Sequence, residues 1–174
     1  MVIGDKSTFA IELEQDHPSW DPNPRRIWGY ASFWIANVQL GFRKWGPDLL
    51  ANFGDFLDRA LANGFRQDRT LISLEPHEKS LAVYRNVYSD RSALPTGTLT
   101  HHVLAPTGSE FFDGVFVCCF DEPSDALVVA IRPEYQGDLY WDEVDIPDVV
   151  LGRVPRRERD RLLTTARDWI RALN

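Results

Sequence analysis

Cysteine is nearly absent from this 174-residue chain, which has only two, Cys118 and Cys119, side by side. Neighbouring side chains on an extended strand point to opposite faces, so these thiols are badly placed to bond to each other. Without a disulfide framework, the sequence reads as a protein of a reducing compartment, the cytoplasm. Long apolar runs are lacking as well. None approaches the roughly 20 residues that a membrane span needs. Residues 1–6 do not show the basic segment and apolar run of a secretory leader, so no membrane partner is expected. Basic charge is in deficit, with 19 Lys and Arg against 26 Asp and Glu, a net −7. A field of that sign opposes nucleic acid and anionic lipid and speeds encounter with a basic partner.

Motifs for catalysis and ligand binding are missing too. There is no Gly-x-Ser-x-Gly elbow, no P-loop and no Gly-x-Gly-x-x-Gly turn, so no cofactor is expected. Gly4-Asp5-Lys6-Ser7 is too short for a phosphate cradle and reads as a turn. His101-His102 and Cys118-Cys119 offer four side chains of ligand type. Adjacent residues on a strand cannot both face one ion, and the spacing that converges donors on zinc is not met, so no metal site is expected. A thiol paired with His101 or His102 would be a nucleophile. Both cysteines, however, lie in the apolar run 115–120, where a thiol has a raised pKa and packs as a small hydrophobe. Acidic residues always offer close carboxylate pairs, and nothing singles one out. Arg153, Arg156, Arg157, Arg159 and Arg161 are interrupted by Glu158 and Asp160. They read as a solvated, ion-paired helix face rather than a nucleic-acid site. No catalytic residue is assigned.

What is present describes a globular protein. The apolar fraction of 44% and charged fraction of 26% are near the averages for folded domains, and the length suits one domain covering 1–174. Residues 8–14 alternate Phe9, Ile11 and Leu13 with polar or small neighbours, which predicts a half-buried strand. Three prolines make 16–26 a loop. The aromatic-rich stretch 27–35 and residues 38–42 predict a hairpin over Ala36-Asn37. Pro47 and Gly64 bracket a helix with Leu49, Leu50, Phe53, Phe56, Leu57, Ala60 and Leu61 at helical spacing. Glu75-Pro76-His77-Glu78 starts a second helix, with Leu81, Tyr84, Val87 and Tyr88 on one face. Residues 92–108 read as mostly irregular. A second hairpin joins 115–120 to 126–132, a last strand covers about 139–146, and Pro155 starts a C-terminal helix buried along Leu162, Leu163, Ala166, Trp169, Ile170 and Leu173. The fold class is α+β: a mainly antiparallel sheet of about six strands with three packed helices.

One segment stands out. Residues 134–148 hold six acids (Glu134, Asp138, Asp142, Glu143, Asp145 and Asp148) and no lysine or arginine, with Tyr135, Tyr140 and Trp141 interleaved. Strand alternation places Tyr140, Val144 and Ile146 inward and Trp141, Glu143 and Asp145 outward. An outward aromatic ringed by acids suits the surface of a basic protein. The same charges would equally protect an ordinary edge strand from aggregation. The candidate partner-binding residues are therefore Glu134, Tyr135, Asp138, Trp141, Asp142, Glu143, Asp145 and Asp148.

The opening, residues 3–12 (Ile-Gly-Asp-Lys-Ser-Thr-Phe-Ala-Ile-Glu), resembles that of a family of bacterial polymorphic-toxin immunity proteins, immunity protein forty-two. Trp28-Gly29-Tyr30, Phe33-Trp34-Ile35 and Leu40-Gly41 resemble the family's aromatic hairpin, and Phe112-Asp113-Gly114 before a strand is a further match. The chain departs from the pattern in its proline-rich loop, its arginine-rich last helix and a hairpin turn without glycine. The resemblance implies a cytoplasmic, non-enzymatic inhibitor. It would bind the C-terminal domain of a cognate secreted toxin, a basic nuclease in the sharpest form of the expectation, and neutralise it stoichiometrically. Two other readings fit the residues: a partner-binding adaptor or secretion-chaperone-like module, and a small hydrolase built on a carboxylate or Cys–His pair.

Overall fold

Alternation of apolar and polar residues sets the first strands. In the computed structural model, which describes residues 1–23, 25–41, 47–88, 99–105, 115–132 and 147–173, β2 (Phe9–Asp16) buries Phe9, Ile11 and Leu13. A short strand not expected from the sequence, β1 (Val2–Asp5), precedes it and pairs antiparallel, Val2 opposite Glu12 and Asp5 opposite Phe9. The expected turn follows. The Asp5 carboxylate accepts the Ser7 hydroxyl and backbone N–H at 2.7 and 2.8 Å, which holds its pKa below the usual carboxylate value.

β3 (Trp28–Ile35) pairs with β2 along its whole length and folds back into β4 (Val38–Leu40). The linking residues Ala36 and Asn37 have φ of 49° and 68°, the left-handed region that two-residue hairpin turns demand. Their N–H groups donate to Thr8 O at 3.2 Å and Lys6 O at 2.7 Å, tying this turn to the first one. A two-residue strand, β5 (Asp48–Leu49), joins the far end of β3 and runs into α1 (Leu50–Asn63).

Helix α1 buries Leu50, Phe53, Leu57 and Ala60, and Gly64 follows it at φ 64°, its N–H bonded to Ala60 O at 3.1 Å. Helix α2 (Pro76–Val87) begins at a reciprocal capping box between Glu75 and Glu78. Its innermost residues are Ser80, Val83 and Val87, whereas Leu81, Tyr84 and Tyr88, expected on the buried face, are only half-buried.

The second sheet has the order β6-β7-β8-β9, all antiparallel: β6 (Val103–Ala105), β7 (Phe116–Asp121), β8 (Asp125–Ile131) and β9 (Val149–Pro155). β7 and β8 are apolar without alternation because both their faces are covered. Val117, Cys119, Val128 and Ala130 face the main core, shared with the first sheet, α1 and the last helix α3 (Arg156–Ala172). Phe116, Cys118, Leu127, Val129 and Ile131 face a smaller core under α2. The two cysteines thus point in opposite directions, as strand geometry requires.

The α+β class, the antiparallel pairing and the three helices agree with expectation, while the described strands divide between two sheets of five and four rather than forming one. Residues 99–105, expected irregular, contain a 3₁₀ turn (Thr100–His102) and β6. The expected strand at 139–146 lies outside the described residues, and a further strand, β9, not expected from the sequence, runs directly into α3. No described helix is long and apolar enough to cross a membrane.

Candidate partner-binding surface

Of the residues singled out for partner binding, Glu134, Tyr135, Asp138, Trp141, Asp142, Glu143 and Asp145 lie outside the described residues. Asp148 is described. It is exposed at the start of β9, and its carbonyl accepts the Arg132 N–H at 3.1 Å, closing the β8–β9 ladder.

Cysteine–histidine chemistry can be judged directly. Both thiols are fully buried. Burial drives the Cys118 pKa well above its ordinary value and that of Cys119 up to about 12. His102 Nδ1 lies 3.1 Å from the Cys119 carbonyl oxygen, not from a thiol, so Nδ1–H donates there and Nε2 is left buried with no partner among the described residues. Burial first, and the neighbouring His101 second, lower the His102 pKa to about 4. This is a neutral imidazole wedged beside Phe120, with ring centroids 4.9 Å apart, and not a base poised on a nucleophile.

Beside His102 opens a cleft of about 330 Å³, whose rim includes Asp68, Lys79, Asp121 and Glu122. Most of its charges are matched internally, and the Asp68 carboxylate accepts the Thr70 hydroxyl and N–H. Glu122 pairs with Lys79 at 3.7 Å and with Arg153, and Asp121 pairs with Arg159. The last of these corrects the reading of the arginine run as solvated throughout. Arg159 is buried, its guanidinium 4.5 Å from the Phe65 ring, where Asp121 and Asp160 take up its N–H groups. Helical spacing from Leu162, Leu163 and Ala166 puts position 159 on the buried stripe of the expected helix, a signal that the charged composition around it overrode.

A different surface takes shape on the outward face of the first sheet. Period-two geometry turns Glu12, Glu14 and Asp16 of β2 outward together with Trp28, Tyr30 and Trp34 of β3, and the register sets Glu14 opposite Tyr30 and Asp16 opposite Trp28. Acids and aromatics grip each other. Trp34 Nε1–H donates to Glu12 at 2.7 Å, Tyr30 O–H donates to Asp16 at 3.4 Å, and Trp28 Nε1–H donates to Asp21 at 2.8 Å. Hydrogen bonds from the Asn23 N–H and Trp28 hold the Asp21 carboxyl below its usual range. Trp20, from the proline-rich loop, stands edge-on to Trp28 at 4.6 Å between centroids and remains 62% exposed. Lys6 Nζ sits 3.8 Å over the Trp34 ring and 3.1 Å from Glu12. The sequence carried a signal for this face, the alternation of Trp28, Tyr30 and Trp34 with Gly29, Ala31, Phe33 and Ile35. Because both sets are apolar, the alternation is hard to see.

The family model for immunity protein 42 matches residues 1–150 of the chain. No curated protein matches. Among solved structures, the crystal structure of CdiI from Burkholderia dolosa AUO158 is similar, with a TM-score of 0.66 and 13% sequence identity. The likeness covers 95% of this chain and 97% of that one, which shows a shared fold.

Proposed function

Because the chain belongs to the immunity protein 42 family, we propose that it binds the C-terminal domain of a cognate bacterial toxin one-to-one and neutralises it in the cytoplasm. The match across 1–150 carries this reading. The CdiI-like fold supports it, and contact-dependent growth inhibition is the setting in which such a protein acts. The whole chain, 1–174, works as one inhibitory domain without catalysis. The net charge of −7 favours a basic toxin, with a nuclease as the natural candidate, because opposite fields accelerate encounter. Segment 134–148 supplies contacts through Glu134, Tyr135, Asp138, Trp141, Asp142, Glu143, Asp145 and Asp148.

Calorimetric titration against the toxin domain encoded beside this gene, at low and moderate salt, tests the reading. Nanomolar one-to-one binding that weakens with salt is expected. A well-folded toxin domain that gives no heat of binding and still kills cells expressing this protein would sink it. Charge reversal at Asp142, Glu143 and Asp145 is expected to slow association and flatten its salt dependence without unfolding the protein. Unchanged association kinetics would remove the segment from the interface.

A further inference from the structure

We propose that the outward face of β2 and β3, extended by Trp20, is a docking surface for the cationic side chains of the toxin domain. The inference rests on the immunity reading and adds to it a second set of residues, apart in sequence from segment 134–148. Three observations carry it.

The face combines carboxylates and aromatic rings, the groups that bind an ammonium or guanidinium best, with Asp16 opposite Trp28 and Glu14 opposite Tyr30. It already holds one cation in this way: Lys6 lies over the Trp34 ring while pairing with Glu12. That position is taken by the chain's own Lys6, and it shows the geometry in which this face holds a cation.

Trp20 is the second observation. Leaving a tryptophan 62% exposed costs the hydrophobic stabilisation that burying it would give, and Trp is enriched among residues that dominate interfaces. Next to it, a hollow of about 320 Å³ is lined by Pro18, Asp21, Arg26 and Trp28, with room for a long side chain.

The third observation is one of sign and size. Glu12, Glu14 and Asp16 face outward from one strand, so the face repels phosphates and a second copy of itself alike. The β2–β3 ladder is about 25 Å long at ~3.3 Å per residue and about 10 Å wide, roughly a third of the ~800 Å² per partner that a standard interface covers.

The test compares the natural protein with a Glu14→Lys, Trp20→Ala double variant. Both positions are exposed, so folding should survive, and an unchanged thermal midpoint checks this. An Asp168→Lys variant on α3 makes the same kind of charge reversal away from this face. Binding to the toxin domain is measured by calorimetry and stopped flow, and self-association by sedimentation. The double variant is expected to bind at least tenfold more weakly and to associate more slowly, with a smaller effect from Asp168→Lys. Binding by the natural protein with no loss in the folded double variant would overturn this inference and leave the immunity reading intact. No binding by the natural protein would overturn both. A stable dimer dispersed by the double variant would assign the face to self-association and also overturn it.

Discussion

Ala36 carries a backbone conformation that its side chain resists. At φ 49° its Cβ crowds the chain, a cost of roughly 1–2 kcal/mol for an L-residue, whereas the following Asn37 tolerates φ 68° better. Replacing Ala36 with glycine relieves that strain but adds freedom to the unfolded chain. The net expectation for Ala36→Gly is a stabilisation of about 0.5–1 kcal/mol, read as a higher urea midpoint at constant slope. A lower midpoint would show that the clamp from Thr8 and Lys6 carbonyls needs the methyl group. His102 acts through pH. Its pKa is about 4 in the folded chain against 6.5 for an ordinary histidine, so between those values the unfolded chain binds a proton that the folded one refuses. Its contribution is complete above pH 6.5 and lost as pH falls toward 4, amounting to about 3 kcal/mol at most. A His102→Phe variant should show a flatter stability profile between pH 6.5 and 4. Parallel profiles for the two proteins would assign the acid sensitivity to other groups.

At the scale of elements, β9 depends on a residue that strands usually avoid. A Cβ on Gly152 would lie 2.7 Å from Ile35 Cγ2 and 2.8 Å from the Thr8 carbonyl oxygen, so the backbone of β9 lies directly against the Ile35 side chain and the Thr8 carbonyl at the end of the first hairpin. Gly152→Ala should therefore push β9 away from that hairpin and cost about 1–3 kcal/mol, seen as a lower thermal midpoint. An unchanged midpoint would mean that the sheets slide apart freely. The same glycine hid the strand from sequence reading, although Val150 and Val154 are buried and Leu151 and Arg153 exposed on either side of it. Where period and punctuation agree, the elements were legible: β2, the two expected hairpins, the start of α2 and the stripe of α3. Where they conflict, they were not. β1 is four residues interrupted by Gly4 at φ 103°, and β6 is three residues long, too short for any period to register. The candidate surface was half legible, since the acids of β2 alternate with apolar residues while the tryptophans of β3 alternate with other hydrophobes. Arg159 was misplaced because composition alone suggested a solvated face, whereas helix geometry turns it inward onto Phe65 and Asp121.

For the whole molecule, the two-sided sheet matters most. β7 and β8 pair with each other over six consecutive positions and are covered by the main core on one face and by α2 on the other. Amide protons in such a place exchange with solvent only when the entire fold opens, while the first sheet, with one face toward water, has routes through partial opening. The backbone amides of Val117, Cys119, Val128 and Val129 are accordingly expected to be the slowest to take up deuterium. Faster exchange there than in β2 would show that the second sheet opens on its own. Because their exchange reports the global free energy, these amides form an internal gauge. Any partner that grips the native chain adds RT ln(1 + [L]/Kd) to that free energy wherever it lands. A toxin domain settling on the outer face of the first sheet would be recorded, as a delay in deuterium uptake, at strands it never touches.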